Sequence, residues 1–289
     1  MKIPPGVVDV HVHMQPWQQI RDEPRATIES GRSDVDKILE FQSNPAALVA
    51  YMAEQGVARV GLINYVSPEL MGFDASCNDW IAKYRDHDPT KFIAWGGVHP
   101  GFCDDVPAEM ERLLDDLRID GIKIHPPHQG IRSNAYRSQG MKGLADVYAA
   151  CEERAIPVMI HTGTSVFPGA RARYGDPMDV DDIAIDFPEL QIIMAHCGRP
   201  FWYDQAFFVA RRHQNVWLEL SGIPPLQLPE RLPRLEVIAD HVLWGTDWPS
   251  PGVLDLRKNL EAFCGLVTYS DILKHKVLVE NPNKLFPLR

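Results

Sequence analysis

The chain alternates short, nearly unbroken apolar runs with amphipathic stretches. The first run, Val7-Val8-Asp9-Val10-His11-Val12-His13, is β-branched and almost wholly apolar, which predicts a strand covered on both faces. Comparable runs recur at 57–64, 92–98, 121–125, 156–161, 190–196, 216–220 and 241–247. Helical spacing fills most of the intervals. It predicts helices at 46–52, closed by Gly56, at 78–85, 107–117, 144–154 and 205–213, and a short one around Ile183. The 107–117 stretch is the clearest, with Met110, Leu113, Leu114 and Leu117 on one face and Pro107 in the first turn, where a missing N–H costs nothing. Segment 14–44 carries Pro16, Pro24, Gly31 and scattered charges, so it reads as an irregular loop that folds over the end of the first strand as a lid. Eight strand-then-helix units, with no linker or low-complexity stretch between them, predict an α/β protein. The expected architecture is a closed parallel (β/α)8 TIM barrel forming one domain over 1–289.

Composition narrows the partners. The formal charge is -10, and no Lys/Arg cluster is long enough to track a phosphate backbone, so nucleic acid is not expected. The 5 cysteines are scattered without a C-x-x-C pair, which suits free thiols in a reducing compartment. No apolar run reaches the roughly 18 residues of a membrane span, and nothing at the N-terminus has the build of a signal peptide. The expectation is a cytoplasmic protein that neither binds nor crosses a membrane.

Candidate chemistry sits where a barrel puts it, at the C-terminal ends of the strands. Those ends carry His11 and His13, Lys123 and His125, His161, His196, and Asp247. Residues two apart on a strand project to one side, so His11 and His13 aim into a shared volume. Imidazole and carboxylate together suit Zn, Mn or Fe and leave a position for water, whose pKa the ion lowers towards about 7. A strand-end histidine taken singly is as readily explained by an ordinary hydrogen bond. His99 and His128 read as pocket lining or backbone caps, and Met71, Phe73 and Trp17 as lining or simple packing under the lid. Arg199 could pair with an anionic substrate or form a surface ion pair. Trp248, beside Asp247, is expected to wall the pocket, and Arg211-Arg212 to be a solvated helix face.

Four motifs in strand order tie these residues together: His11-Val12-His13, His161-Thr162-Gly163, Ala195-His196-Cys197-Gly198 and Gly245-Thr246-Asp247-Trp248-Pro249, followed by the closing Glu280-Asn281-Pro282-Asn283-Lys284-Leu285-Phe286. Over essentially its whole length the sequence resembles the amidohydrolase superfamily. Within it, the chain is most similar to the amidohydrolase-related branch that includes aminocarboxymuconate-semialdehyde decarboxylase-like proteins. The resemblance implies a barrel of the metallo-dependent hydrolase type, in which His11, His13, His161 and Asp247 ligate one divalent metal, zinc first, with manganese or iron as alternatives. It also implies that Asp247 moves protons and that His196 acts as acid/base just beyond the ligands. Lys123, if carboxylated, would bridge a second metal; otherwise its ammonium would bind a substrate carboxylate. His125, Arg199 and Trp248 complete the expected substrate contacts.

The leading functional expectation is a hydrolase in which metal-activated water attacks an amide, ester or lactone carbonyl of a small molecule. A non-oxidative decarboxylase or hydratase of a small aromatic or unsaturated acid uses the same ligands and is the alternative. A barrel that holds metal without turnover is a third reading, opposed by the intact acid Asp247. The substrate is expected to be a small molecule, with a carboxylic acid compatible. Relatives are often dimers, so a homodimer fits the resemblance.

Overall fold

A computed structural model describes residues 1–253 and 255–288; Leu254 and Arg289, which the 1–289 domain expectation includes, lie outside the described residues. Its centre is one parallel sheet of 8 strands in the order β1 to β8, each paired with its neighbour in sequence. The strands are β1 (Val8–Val12), β2 (Arg59–Leu62), β3 (Phe92–Gly96), β4 (Gly121–Ile124), β5 (Val158–His161), β6 (Ile192–Ala195), β7 (Val216–Glu219) and β8 (Val242–Leu243). Every strand residue is buried, as a sheet lined by side chains within and helices without demands.

The ring is completed between β8 and β1 by single backbone bonds. Val10 N–H donates to Trp244 O at 3.2 Å, Asp247 N–H to His11 O at 2.8 Å and His13 N–H to Trp248 O at 2.7 Å. Strand eight was expected over 241–247, but its regular ladder stops at Leu243, because residues beyond it bend to meet β1. Asp9 reinforces that meeting: its carboxylate accepts from the Thr246 hydroxyl at 2.7 Å and from the Thr246 N–H at 3.0 Å. Burial pushes the Asp9 carboxyl up to about 7, against these hydrogen bonds.

A bulge lies in β1 next to the histidines. Asp9 pairs with Val60 and Val12 with Leu62, so β1 spends one residue more than β2 over the same span. Gly61 makes this possible. A Cβ there would stand 2.3 Å from Val10 O and 2.8 Å from the Trp95 indole nitrogen, closer than atoms approach.

Segment 14–44 is more ordered than expected. It holds a short 3-10 turn (Trp17–Gln19) and two helices, α1 (Asp22–Glu29) and α2 (Val35–Ser43), ahead of α3 (Pro45–Gln55). Pro24 sits in the first turn of α1, where it interrupts nothing, and Ile28, Ile38 and Phe41 turn inward. The stretch still covers the strand ends, through Trp17 and Ile28. The helix expected at 107–117 also runs differently, as an α-helix over Val106–Glu111 that widens into a π-turn over Arg112–Asp116. All 5 cysteines are free, and no helix among the described residues is long and apolar enough to cross a membrane.

Candidate active site

The C-terminal ends of the strands open into a cavity of about 530 Å³. Its floor is built by the joint between β1 and β8. His13 Nε2 lies 3.0 Å and His11 Nε2 3.5 Å from the same Asp247 oxygen, Oδ1. The other oxygen, Oδ2, accepts from an Arg199 guanidinium N–H at 3.2 Å, and the Ser250 hydroxyl donates to Oδ1 at 2.9 Å. Asp247 itself takes a left-handed backbone conformation, φ 67°, uncommon for a non-glycine residue and frequent where a site dictates the geometry. Burial would raise its pKa; the hydrogen bond from His13, the neighbouring imidazoles and the Arg199 guanidinium win, holding the carboxyl well below the usual range.

Behind the floor stands Glu219, the last residue of β7 and fully buried. Its Oε2 is 2.9 Å from His11 Nδ1 and accepts from the Ser221 hydroxyl at 2.7 Å, while Oε1 accepts from the Ser221 N–H at 2.7 Å. Gly245 gives this carboxylate its room, since a Cβ at that position would meet Glu219 Oε1 and His11 Cβ, both at 2.6 Å.

The remaining predicted groups line the wall. His196 begins a turn with φ 66° just past β6, and its ring is 4.9 Å from that of His11 and 4.6 Å from that of His161. Its Nδ1 is 2.9 Å from the Ser221 hydroxyl and 3.1 Å from Ser221 O. His125 is stacked between His161 at 3.9 Å and His128 at 3.4 Å, centroid to centroid. His128 is held in turn by Tyr65 Oη and Ser165 Oγ, each at 2.8 Å. Burial keeps the imidazoles of His11, His125, His128, His161 and His196 well below their ordinary pKa, hence neutral and able to offer lone pairs. Lys123 is completely buried on β4, and its Nζ has no hydrogen-bond partner among the described residues. Burial pushes its pKa down and that of Glu219 up.

Among the expected ligands, His11, His13 and Asp247 bring one donor atom each within 4.8 Å of one another. These atoms suit a cation. With Nδ1–H of His11 committed to Glu219, His11 Nε2 carries a lone pair that faces the Asp247 carboxylate without a partner, an arrangement of two acceptors that a positive ion relieves. His161 is not part of that close group; it stands across the rim, its Nδ1 without a hydrogen bond. A second close group, His11, His196 and Glu219, lies entirely in the buried layer.

Trp248 is a correction. It does not wall the cavity but points the opposite way from Asp247, fully buried against Phe41 at 6.1 Å and Tyr51 at 5.9 Å. Phe73 is likewise buried, against Tyr65, whereas Trp17 and Met71 do line the cavity. His99 caps the Gln129 carbonyl at 3.0 Å, outside the site. Sequence reasoning missed Glu219, Ser221 and Tyr65. The available signal was Glu219, an acid ending an apolar strand at the height of the strand-end histidines.

An amidohydrolase family model matches residues 8–288. Part of the chain is 30% identical to the 2-pyrone-4,6-dicarboxylate hydrolase of Comamonas testosteroni, covering 36% of this chain and 46% of that protein. Another part is 29% identical to the 4-sulfomuconolactone hydrolase of Rhizobium radiobacter, covering 25% of this chain and 29% of that one. The chain thus matches less than half the length of these relatives. Solved structures share the fold along nearly the full chain. A Bordetella bronchiseptica TIM-barrel protein superposes with TM-score 0.76 at 22% identity, covering 97% of this chain and 98% of that one. The 5-carboxyvanillate decarboxylase of Sphingomonas paucimobilis gives 0.66 at 18%, covering 99% and 100%. A dihydroxybenzoic acid decarboxylase from Polaromonas, solved with manganese and 2-nitroresorcinol, gives 0.66 at 16%, covering 99% and 98%. With the barrel, the strand-end histidines and the strand-eight aspartate all inside a match that runs over nearly every residue, the chain belongs to the amidohydrolase family.

Proposed function

We propose that this protein is a metal-dependent hydrolase that opens a small lactone or ester carrying an acidic group. The observation that carries the reading is Asp247, shared between His13 on one oxygen and Arg199 on the other at the floor of the cavity. The matched relatives, named for hydrolysing a pyrone dicarboxylate and a sulfomuconolactone, support a lactone bearing negative charge.

His11, His13 and Asp247 would hold the metal, with His161 as the fourth ligand and zinc as the first choice over manganese or iron. Bound there, the ion supplies Lewis acidity for the carbonyl and a water molecule of lowered pKa. Asp247 Oδ1 accepts the proton of the attacking water and returns it to the departing oxygen, a general acid–base role worth about 10²–10⁴-fold. Arg199 keeps the carboxylate aimed through Oδ2. Lys123, a buried cation without a hydrogen-bond partner among the described residues, takes the acidic group of the substrate, and His125 flanks it. Trp17, Met71 and Phe167 provide an apolar surround that keeps bulk water from the reacting groups.

The test is a panel of carboxylated lactones and esters set against benzoate- and muconate-type acids, with ring opening and carbon dioxide both followed. Ring opening by protein containing about one equivalent of metal is expected. Release of carbon dioxide from an acid, without lactone hydrolysis, would overturn the reading in favour of a decarboxylase. Binding of metal with no turnover on either set would favour a barrel that only holds the ion.

A further inference from the structure

Ser221 Oγ sits at the meeting point of three buried groups: Glu219 Oε2 at 2.7 Å, His196 Nδ1 at 2.9 Å and His11 Nδ1 at 3.2 Å. This is the interior of the second close group of donor atoms, and the serine hydroxyl already fills it. A hydroxyl has one hydrogen to give. The count of donors and acceptors around it therefore decides where every proton lies.

Glu219 receives three contacts, the Ser221 N–H on Oε1 and both the Ser221 hydroxyl and His11 Nδ1 on Oε2. The Ser221 N–H and hydroxyl both donate to it, so Ser221 spends its hydrogen on Oε2, which accepts, and His11 donates to the same oxygen from Nδ1. His196 Nδ1 faces Ser221 O as well as the hydroxyl, and a carbonyl cannot donate. Its Nδ1 must carry hydrogen too. Both rings are then fixed in the same tautomer, with Nε2 unprotonated.

We infer that Glu219 and Ser221 are positioning residues that set the tautomers of His11 and His196 together. For His11 the result is a lone pair on Nε2, towards Asp247 and His13, where a metal ligand needs it. For His196, which lines the cavity and is held through its Nδ1 edge, the result is a free Nε2 that accepts a proton or a hydrogen bond. His196 thereby presents an acceptor to substrate or water. The two rings share the Ser221 hydroxyl, whose hydrogen Glu219 holds, so a change at Glu219 reaches His11 directly and His196 through Ser221. The part concerning His11 rests on the proposed metal site; the tautomers themselves do not.

The experiment reads ring nitrogens directly. Long-range 1H–15N spectra of the metal-free, 15N-histidine-labelled protein at pH 8.5, assigned with His11→Gln and His196→Gln, should show hydrogen on Nδ1 of both rings. Hydrogen on Nε2 of either ring would overturn the inference, whatever the protein hydrolyses. In Glu219→Gln the side-chain amide, similar in size to the carboxylate it replaces, can offer an N–H to His11 Nδ1. His11 should then move its hydrogen to Nε2, and the affinity for added Zn²⁺ or Mn²⁺, titrated calorimetrically, should fall by about 10–100-fold. Unchanged His11 signals together with unchanged metal affinity would refute the role of Glu219. Should that variant fail to fold, the wild-type spectrum alone still decides. Failure of the lactone assay with the predicted tautomers present would count against the proposed function and leave this inference standing.

Discussion

The two halves of the rim are built on different plans. Around β1, β7 and β8, each charged or imidazole group is tied to another: Asp9 to Thr246, His11 to Glu219, Asp247 to His13, Arg199 and Ser250. Across the cavity, at the end of β4, Lys123 has no hydrogen-bond partner among the described residues, and His125 lies stacked between rings with its Nδ1 unpaired among them. Buried polar groups cost free energy unless they are satisfied, which is why the proposed function gives the second side to the substrate. On that proposal one side is a frame for chemistry, and the other a surface that substrate would complete.

The sharpest way to break this contrast is Asp247→Asn. Turnover should fall by about 10³-fold, since the acid–base group is lost; the thermal midpoint should fall too, because Arg199 loses its anionic partner, so the rate is read well below the variant's midpoint. A rate within tenfold of wild type would remove the proton role from Asp247. Stripping metal with a chelator should abolish turnover of the panel substrates, and readdition of Zn²⁺ or Mn²⁺ should restore it; full activity in protein shown by elemental analysis to lack metal would contradict the frame's purpose. On the substrate side, Lys123→Met should raise KM for carboxylated lactones by about 10–100-fold and leave uncharged esters nearly unaffected, given the worth of a charge-assisted hydrogen bond. Equal losses for charged and uncharged substrates would show that Lys123 belongs to the frame instead. The smallest kinetic effect is expected from Trp248→Phe, which lies behind the site: KM should change less than about threefold, while stability drops by about 1–3 kcal/mol from lost packing.

Much of this was readable from the chain because parallel strands, buried on both faces, leave long apolar runs, and because His and Asp at the ends of such runs stand out against them. The same burial hid the rest. Glu219 closes Val216-Trp217-Leu218 and reads as the polar end of a strand until β7 is seen beside His11. Asp9, inside a run of valines, is a buried acid whose partner Thr246 lies at the other end of the sequence. Trp248 shows how sequence adjacency misleads: the chain turns at Asp247 in a left-handed conformation, and the ring of the next residue packs into the core against Phe41 and Tyr51. Helices α1 and α2 are short and polar, with their inward residues too few to set a period.

The joint between β1 and β8 has a consequence for folding. The same few residues both shut the cylinder and supply the donor atoms, with no ordinary ladder to hold the edges together there. An ion gripped by His11, His13 and Asp247 would therefore act as a clasp across the last gap to close, and metal uptake would report completion of the ring, absent from any folding intermediate in which the first and last strands have yet to find each other.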